Sequence, residues 1–94
     1  MMTLDVSLGN ENLYRGLEVE LLAGKPTLLT PPAAAIGTIS ANLEGMTIDP
    51  EEVVLTGGMA IWAYLAVFHH LHGRTKRIWY EDGRGQRVLV AAHG

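Results

Sequence analysis

The ten residues from Met59 to Phe68 (MAIWAYLAVF) carry no charged side chain, and this run constrains the fold more than any other feature. Neither glycine nor proline interrupts the sequence until Gly73, so a helix is predicted that ends there. A helix without charge on any face must be covered on more than one side. Its own sheet covers one side, and in a chain of 94 residues a second subunit is the expected cover for the other. The sequence therefore predicts a homodimer.

Two predicted strands flank this helix. EEVVLTGG precedes it as a short β-branched strand that closes on two glycines, and RIWYE follows it as a second strand. The order strand, glycine turn, helix, strand predicts a βαβ unit whose strands are parallel and whose crossover is right-handed. DGRGQ and RVLVAA then predict a turn and a last strand, which complete a C-terminal hairpin.

The N-terminal half predicts a hairpin and a helix. TLDVSL alternates like a strand, LYRGLEVELL resembles a second strand, and GNEN supplies turn residues between them. The prolines of TPPAAAIGTISANLEG suit a helix start and Gly45 suits its end, whereas GKPTLLTPP contains too much proline for a central strand. Residues 1–94 are therefore expected to form one α/β domain. Its mixed sheet would combine the N-terminal hairpin, the βαβ unit and the C-terminal hairpin.

Composition excludes several classes of protein. The chain has no cysteine, which removes disulfides, thiolate catalysis and cysteine zinc sites. No apolar run reaches the roughly 18 residues of a membrane helix, and the start MMTLDVSLGN lacks the basic and then apolar order of a signal peptide. A cytoplasmic protein without a membrane partner is expected. The net charge of −3 argues against non-specific coating of nucleic acid such as duplex DNA.

Charge is unevenly distributed along the chain. Residues 1–68 carry two basic and eight acidic side chains, whereas residues 69–94 carry five basic and two acidic ones together with all four histidines. Such a local excess can attract an anionic ligand despite an acidic total. A chance scatter of surface charge explains the same distribution equally well.

A glycine turn, Thr56-Gly57-Gly58, stands where the βαβ strand ends and the helix begins. Ligands of open α/β sheets bind at that edge, and free N–H groups at a helix start attract phosphate. Glycines also let a ligand approach the backbone closely. Two glycines match neither the dinucleotide nor the P-loop pattern, so a plain tight turn is the equal alternative.

Three of the four histidines end the helix, in FHHLHGR. His69 and His72 are three residues apart and share a helix face, while His70 points elsewhere. A favourable contact between imidazolium and the negative end of the helix dipole explains them without a function. A metal pair on His69 and His72 would lack a third ligand on this helix.

The final hairpin adds a carboxylate, a guanidinium and an imidazole: Asp82 and Arg84 in YEDGRG, and His93. Singly, these are a structural turn and a solvated tail residue. Together they suit phosphodiester cleavage by a ribose 2′-hydroxyl, which needs a base, a cation and a held phosphate. Imidazole serves as base or acid near neutral pH, and arginine offers phosphate a planar fork. A carboxylate with imidazoles also suits a transition ion such as manganese.

The ordered set LTGGMAIWAYLAVFHHLHG, YEDGRG and a valine-rich strand ending in AAHG resembles the small CRISPR-associated ring nucleases of type III systems. The pattern of that family has a glycine-containing turn followed by Ile-Trp, a histidine at the helix end, a Tyr-Asp-x-Arg turn and a histidine that closes the next strand. The resemblance covers residues 53–93. Two departures are an extra acid, Glu81, before Asp82, and Gly83 in place of the turn proline.

The resemblance implies a manganese-dependent nuclease that cleaves cyclic tetra-adenylate, the second messenger of type III CRISPR defence, on a Rossmann-like fold. It further implies a homodimer, with the RNA ring held between two dimers so that one active site draws on both. The implied substrate contacts are Thr56, Gly57, Gly58 and Met59. The implied catalytic residues are His72, Asp82, Arg84 and His93, of which Asp82 and His93 would bind the metal.

Two other classes of function fit the same residues. A non-catalytic receptor would bind cyclic or short oligoadenylate RNA and change its oligomeric state without turnover. An oligomerisation domain without a ligand would tolerate simultaneous substitution of His72 and Arg84.

Overall fold

Four strands form one mixed sheet and two strands form a separate hairpin in the computed structural model, which describes residues 1–93. The elements in chain order are β1 (Met2–Asp5), β2 (Val19–Leu22), β3 (Lys25–Leu28), α1 (Pro32–Glu44), β4 (Glu52–Thr56), α2 (Ile61–Leu71), β5 (Arg77–Glu81) and β6 (Arg87–Ala92). The sheet order is β1-β4-β5-β6. Its first two pairs are parallel and the last is antiparallel. An α/β fold with a mixed sheet is therefore confirmed.

Both helices cover the same face of this sheet. α1 and α2 pack against each other, and the core joins buried residues of both helices to residues of β1, β4 and β5. Each helix buries one side chain per turn: Ala35, Ile39 and Leu43 in α1, and Ala63, Val67 and Leu71 in α2. A spacing of four residues keeps each set on one helix face. The opposite face of α2 therefore receives no cover from its own sheet.

Proline and glycine residues mark the helix boundaries. α1 begins at Pro32, whose missing N–H would have no partner in the first turn, and ends before Gly45. α2 is followed by His72 and by Gly73, whose φ of 99° suits glycine. It connects the parallel neighbours β4 and β5. Neither helix of residues 1–93 is long and apolar enough to cross a membrane.

The predicted pairing of TLDVSL with LYRGLEVELL is wrong. β1 instead lies parallel to β4, with Leu4 opposite Leu55. Asn10 starts a series of turns, because its Nδ2 donates to the Asp5 carbonyl at 2.8 Å. Tyr14 is buried, and its hydroxyl donates to the carbonyl of Val6. A period of two identifies a strand and not its partner, so the alternation left this pairing open.

The hairpin forms later, where β2 pairs with β3 in the antiparallel sense. Its turn places two residues in the left-handed region, Ala23 at φ 51° and Gly24 at φ 78°. A two-residue turn of this kind favours Asn-Gly, because asparagine tolerates positive φ better than alanine does.

We expect Ala23→Asn to raise the free energy of unfolding by about 0.5 kcal/mol, since it relieves part of the left-handed strain. Gly24→Ala is the matched opposite: a Cβ there meets nothing within 4 Å, so strain alone should lower stability by about 1 kcal/mol. Urea unfolding of both variants measures the two shifts. If both variants changed the free energy of unfolding in the same direction, the turn would not be strained as described.

Candidate functional site

The loops that follow β1, β4 and β5 meet at one end of the sheet, because these three strands are parallel. We call this end the carboxyl edge; it comprises residues 5–10, 56–60 and 82–86. All four predicted substrate contacts, Thr56 to Met59, lie on it. The clefts at this end include one of about 240 Å³ beside Gly58 and Gly83 and one of about 420 Å³ beside Ser7 and Met59. Open α/β sheets bind their ligands at this end.

The two glycines of the turn have different tasks. Gly57 has a φ of 102°, and a Cβ at this position would overlap Asp5 Oδ1 and lie 2.9 Å from the backbone N of Ser7. Its carbonyl accepts a hydrogen bond from the hydroxyl of Tyr64. Gly58 is exposed, and a Cβ there meets nothing within 4 Å. Gly57 is thus required by the fold, whereas Gly58 leaves backbone open to a ligand.

The turn after β5 is organised by Asp82. Its Oδ1 accepts the N–H of Arg84 at 2.8 Å and the N–H of Gln86 at 3.0 Å. The neighbouring acid, Glu81, forms an ion pair with Arg87 at 2.9 Å. Asp82 therefore performs the structural task expected of a turn aspartate, and Glu81 is engaged elsewhere.

Arg84 is the most available cation of the C-terminal third. Its side chain is 85% exposed, and its Nε lies 4.0 Å from Asp82 Oδ2. The other basic side chains of residues 69–93 have partners: Lys76 with Glu51, Arg77 with Glu52, Arg87 with Glu81, and Arg74 with two carbonyls of the α1 end. Acids outside this segment, Glu51 and Glu52, therefore neutralise part of the predicted positive excess. The remaining attraction for an anion is concentrated at the carboxyl edge.

His72 and His93 meet at the opposite end of the sheet, which we call the histidine edge. Their Nε2 atoms are 2.6 Å apart, and the rings pack edge to face with centroids 4.3 Å apart. His72 follows the last turn of α2 and packs on Phe68, and the backbone N–H of His93 donates to the Lys76 carbonyl. One imidazole must donate and the other accept, so the pair holds a proton between two exposed rings.

The four predicted catalytic residues thus form two separate groups within one chain. Asp82 and Arg84 precede β6, whereas His93 follows it. β6 has six residues, so at about 3.3 Å per residue the two groups are roughly 20 Å apart. One chain cannot bind a single Mn²⁺ through both Asp82 and His93. Residues 1–93 also contain no cluster of three or more metal-ligating side chains. A shared ion would need two copies of the chain.

His70 serves the fold rather than either edge. Its Nε2 lies 2.6 Å from Arg74 Nη1, which also donates to the Leu43 carbonyl at 3.0 Å, while Arg74 Nη2 donates to Met46 O at 3.2 Å. The guanidinium can only donate, so His70 accepts and is neutral. Burial lowers the pKa of His70 below its usual value, Arg74 lowers it further, and Glu44 opposes them.

We expect His70 to make stability pH-dependent. Because its folded-state pKa is depressed, its contribution is complete above the unfolded pKa of about 6.5 and is lost as the pH falls through the folded value. His70→Gln keeps an acceptor for Arg74 without titrating, so its melting temperature should fall less than that of the wild type between about pH 7 and 5. Leu21→Gln, a non-titrating change at an exposed site, is the control, and its profile should match the wild type. Identical profiles for all three proteins would contradict this role.

The loop after β1 belongs to the carboxyl edge, although the sequence did not indicate it. Asp5 Oδ1 accepts the N–H of Ser7 at 2.8 Å beside Gly57. Tyr64 and Tyr80 also reach this end, with rings 5.6 Å apart. The incorrect hairpin prediction concealed the loop, because it paired β1 with the wrong strand.

Comparisons with models of known families, with characterised proteins and with solved structures find no match for this chain. The family named above therefore remains a resemblance, carried by residues 53–93.

Proposed function

We propose that the protein is a manganese-dependent ring nuclease that cleaves cyclic tetra-adenylate and so ends type III CRISPR signalling. One observation carries the proposal. The catalytic residues assigned by the resemblance form two hydrogen-bonded pairs, Asp82 with Arg84 and His72 with His93, at opposite ends of one sheet. An active site that draws on two dimers, as the resemblance implies, is compatible with this arrangement. The carboxyl edge of one dimer then meets the histidine edge of the next.

The carboxyl edge supplies the phosphate site. The exposed backbone at Gly58 offers N–H groups beside the cleft of about 240 Å³. Arg84, with its free fork, binds two phosphate oxygens and stabilises the charge that develops as the phosphorus becomes five-coordinate. Asp82 positions Arg84 through the turn, since it accepts the N–H of that residue.

The histidine edge supplies the proton transfers. One ring of the His72–His93 pair takes the proton of the ribose 2′-hydroxyl as this oxygen attacks phosphorus. The pair then returns a proton to the 5′-oxygen when its bond to phosphorus breaks. A hydrogen-bonded pair of imidazoles can serve as both base and acid near neutral pH.

Manganese fits only an assembled site. Asp82 of one copy and His93 of another are ligands of the type that this ion accepts, and a single chain does not bring them together. When bound, the ion supplies positive charge near the phosphate. We also assign the fold to the Rossmann-like relatives of this family and its location to the cytoplasm.

The test is incubation of the protein with cyclic tetra-adenylate and Mn²⁺, followed by chromatographic separation of the products. Linear adenylate is the expected product, and loss of turnover is expected for His72→Ala and for Arg84→Ala. Arg87→Ala is the control, because Arg87 is bound to Glu81 and lies outside both groups. An intact ring at stoichiometric enzyme would exclude the nuclease.

The geometry of Asp82 favours a second candidate, a non-catalytic receptor for cyclic or short oligoadenylate RNA. Two backbone N–H groups already occupy Asp82 Oδ1, which leaves this carboxylate less available as a ligand or base. The receptor binds the ring at the carboxyl edge and changes its assembly. Binding with a change in mass and without product formation would identify it.

A further inference from the structure

A cleft separates the β2–β3 hairpin from the carboxyl edge. It has two adjoining parts, one of about 300 Å³ and the cleft of about 420 Å³ at the carboxyl edge, and Leu8, Pro26 and Met59 line both. Strand β3 and the first turn of α2 supply further walls of the smaller part. Both volumes lie in the range of ligand pockets, roughly 300–1,000 Å³. We call the combined space the hairpin cleft.

Trp62 gives the hairpin cleft an aromatic wall. Its side chain is partly buried and packs against the core, as do those of Met59 and Leu28. The core therefore holds the indole on one side, while the indole lines the cleft on the other. A fixed aromatic ring in an otherwise aliphatic cleft suits the stacking of a flat ring such as a nucleobase.

Two threonines of the hairpin region bring hydroxyl groups to the same cleft, Thr27 and Thr30. The Thr27 hydroxyl donates to the Lys25 carbonyl at 3.2 Å, which leaves its lone pairs as acceptors. Thr30 Oγ1 accepts the N–H of Glu18 at 3.0 Å, which leaves its proton for donation. One acceptor and one donor complement the edge of adenine that presents the N6 amine beside the N7 acceptor, whereas guanine presents two acceptors there.

The hairpin cleft adjoins the proposed phosphate site. Gly58 lines both its larger part and the cleft of about 240 Å³. The base and the phosphate of one nucleotide are joined by a single ribose, so two neighbouring sites of these kinds suit one nucleotide. We propose that the hairpin cleft binds an adenine ring of the oligoadenylate, stacked on Trp62 and hydrogen-bonded to Thr27 and Thr30. The identity of the ligand rests on the proposed function, to which the hairpin cleft adds the selection of the base.

The fluorescence of Trp62 tests the stacking. Trp79 is the other tryptophan of the chain, and its Nε1 is buried without a hydrogen-bond partner among residues 1–93, so Trp79→Phe should fold normally. Titration of this variant with cyclic tetra-adenylate, without Mn²⁺ so that the ring stays intact, should quench the Trp62 emission until the site is saturated. A ring that binds while this emission stays constant would overturn the proposal.

Filling the cleft tests its location. Ala60 is exposed and lines the hairpin cleft, so Ala60→Leu places a larger side chain there and should weaken ring binding at least about 10-fold. Ala41→Leu adds the same side chain at an exposed site in a different cleft, near the end of α1, and is the matched control with unchanged affinity. Equal affinities of Ala60→Leu and the wild type would exclude the hairpin cleft.

Base selection tests the threonines. The wild type should bind linear tetra-adenylate at least about 10-fold more tightly than tetra-inosinate, whose bases carry an oxygen in place of the amine. Thr27→Val keeps the shape of the side chain without its acceptor and should reduce this preference to less than about 3-fold. An unchanged preference in Thr27→Val would show that this hydroxyl does not contact the base.

These binding measurements are independent of cleavage. Quenching of Trp62 and weaker binding by Ala60→Leu, without any product from the wild type, would support the adenine site and exclude the nuclease. Wild-type affinity and cleavage in Ala60→Leu would support the nuclease and exclude the adenine site. A wild-type protein that does not bind the ring would exclude both.

Discussion

Mixing His72→Ala chains with Arg84→Ala chains is expected to restore ring cleavage to about a quarter of the wild-type rate. Each variant alone should be at least about 100-fold slower, because one lacks a proton-transfer group and the other lacks the cation on the phosphate. His72 lies at the histidine edge and Arg84 at the carboxyl edge, roughly 20 Å apart along β6. The His72→Ala chain keeps an intact carboxyl edge, and the Arg84→Ala chain keeps an intact histidine edge. Where these two edges meet, the active site is complete.

Two further mixtures make this result specific. His72→Ala with His93→Ala should stay inactive, since both substitutions damage the same edge and their rings form one hydrogen-bonded pair. His72→Ala mixed with wild type gives the rate expected from dilution. If the first mixture stays as slow as its components, the two edges do not combine and the proposed active site is excluded.

The parts of the fold that the sequence predicts are those with a strong local signal. The uncharged run from Met59 to Phe68 and the stop at Gly73 predict α2, and Pro32 with Gly45 brackets α1. The partner of β1 carries no such signal, because alternation in TLDVSL fits any neighbour. The observed partner is β4, and the pairing of Leu4 with Leu55 is a contact between residues far apart in the sequence.

The candidate site also combines features that have a local sequence signal with features that depend on the fold. Each predicted residue lies in a turn or at the end of a helix or strand, as its neighbours in the chain indicate. Distances between these residues depend on strand direction: β5 and β6 are antiparallel, so Asp82 and His93 lie at opposite ends of β6. The predicted strand RVLVAA already separates Asp82 from His93, whereas the contact of His93 with His72 is non-local and was not indicated by the sequence.

Gly57→Ala is expected to destabilise the protein strongly, whereas Gly58→Ala is expected to change stability little. At Gly57 an alanine must adopt a φ of 102° and bring its Cβ 2.9 Å from Ser7 N and into Asp5 Oδ1. Left-handed strain and overlap together should cost about 3 kcal/mol. For a chain of this size, that loss lowers the melting temperature by roughly 15 °C.

Gly58 is the matched control because it belongs to the same turn, and a Cβ there meets nothing within 4 Å. The same site separates stability from binding. Gly58→Leu should fold normally, yet its side chain enters the cleft of about 240 Å³ and should weaken adenylate binding at least about 10-fold. Thermal unfolding and ligand titration of the three variants measure both effects.

A Gly57→Ala protein that melts within about 3 °C of the wild type would show that β1 and the glycine turn do not pack as described. In that case the close contact of Gly57 with Asp5 and Ser7 would not fix the geometry of the carboxyl edge.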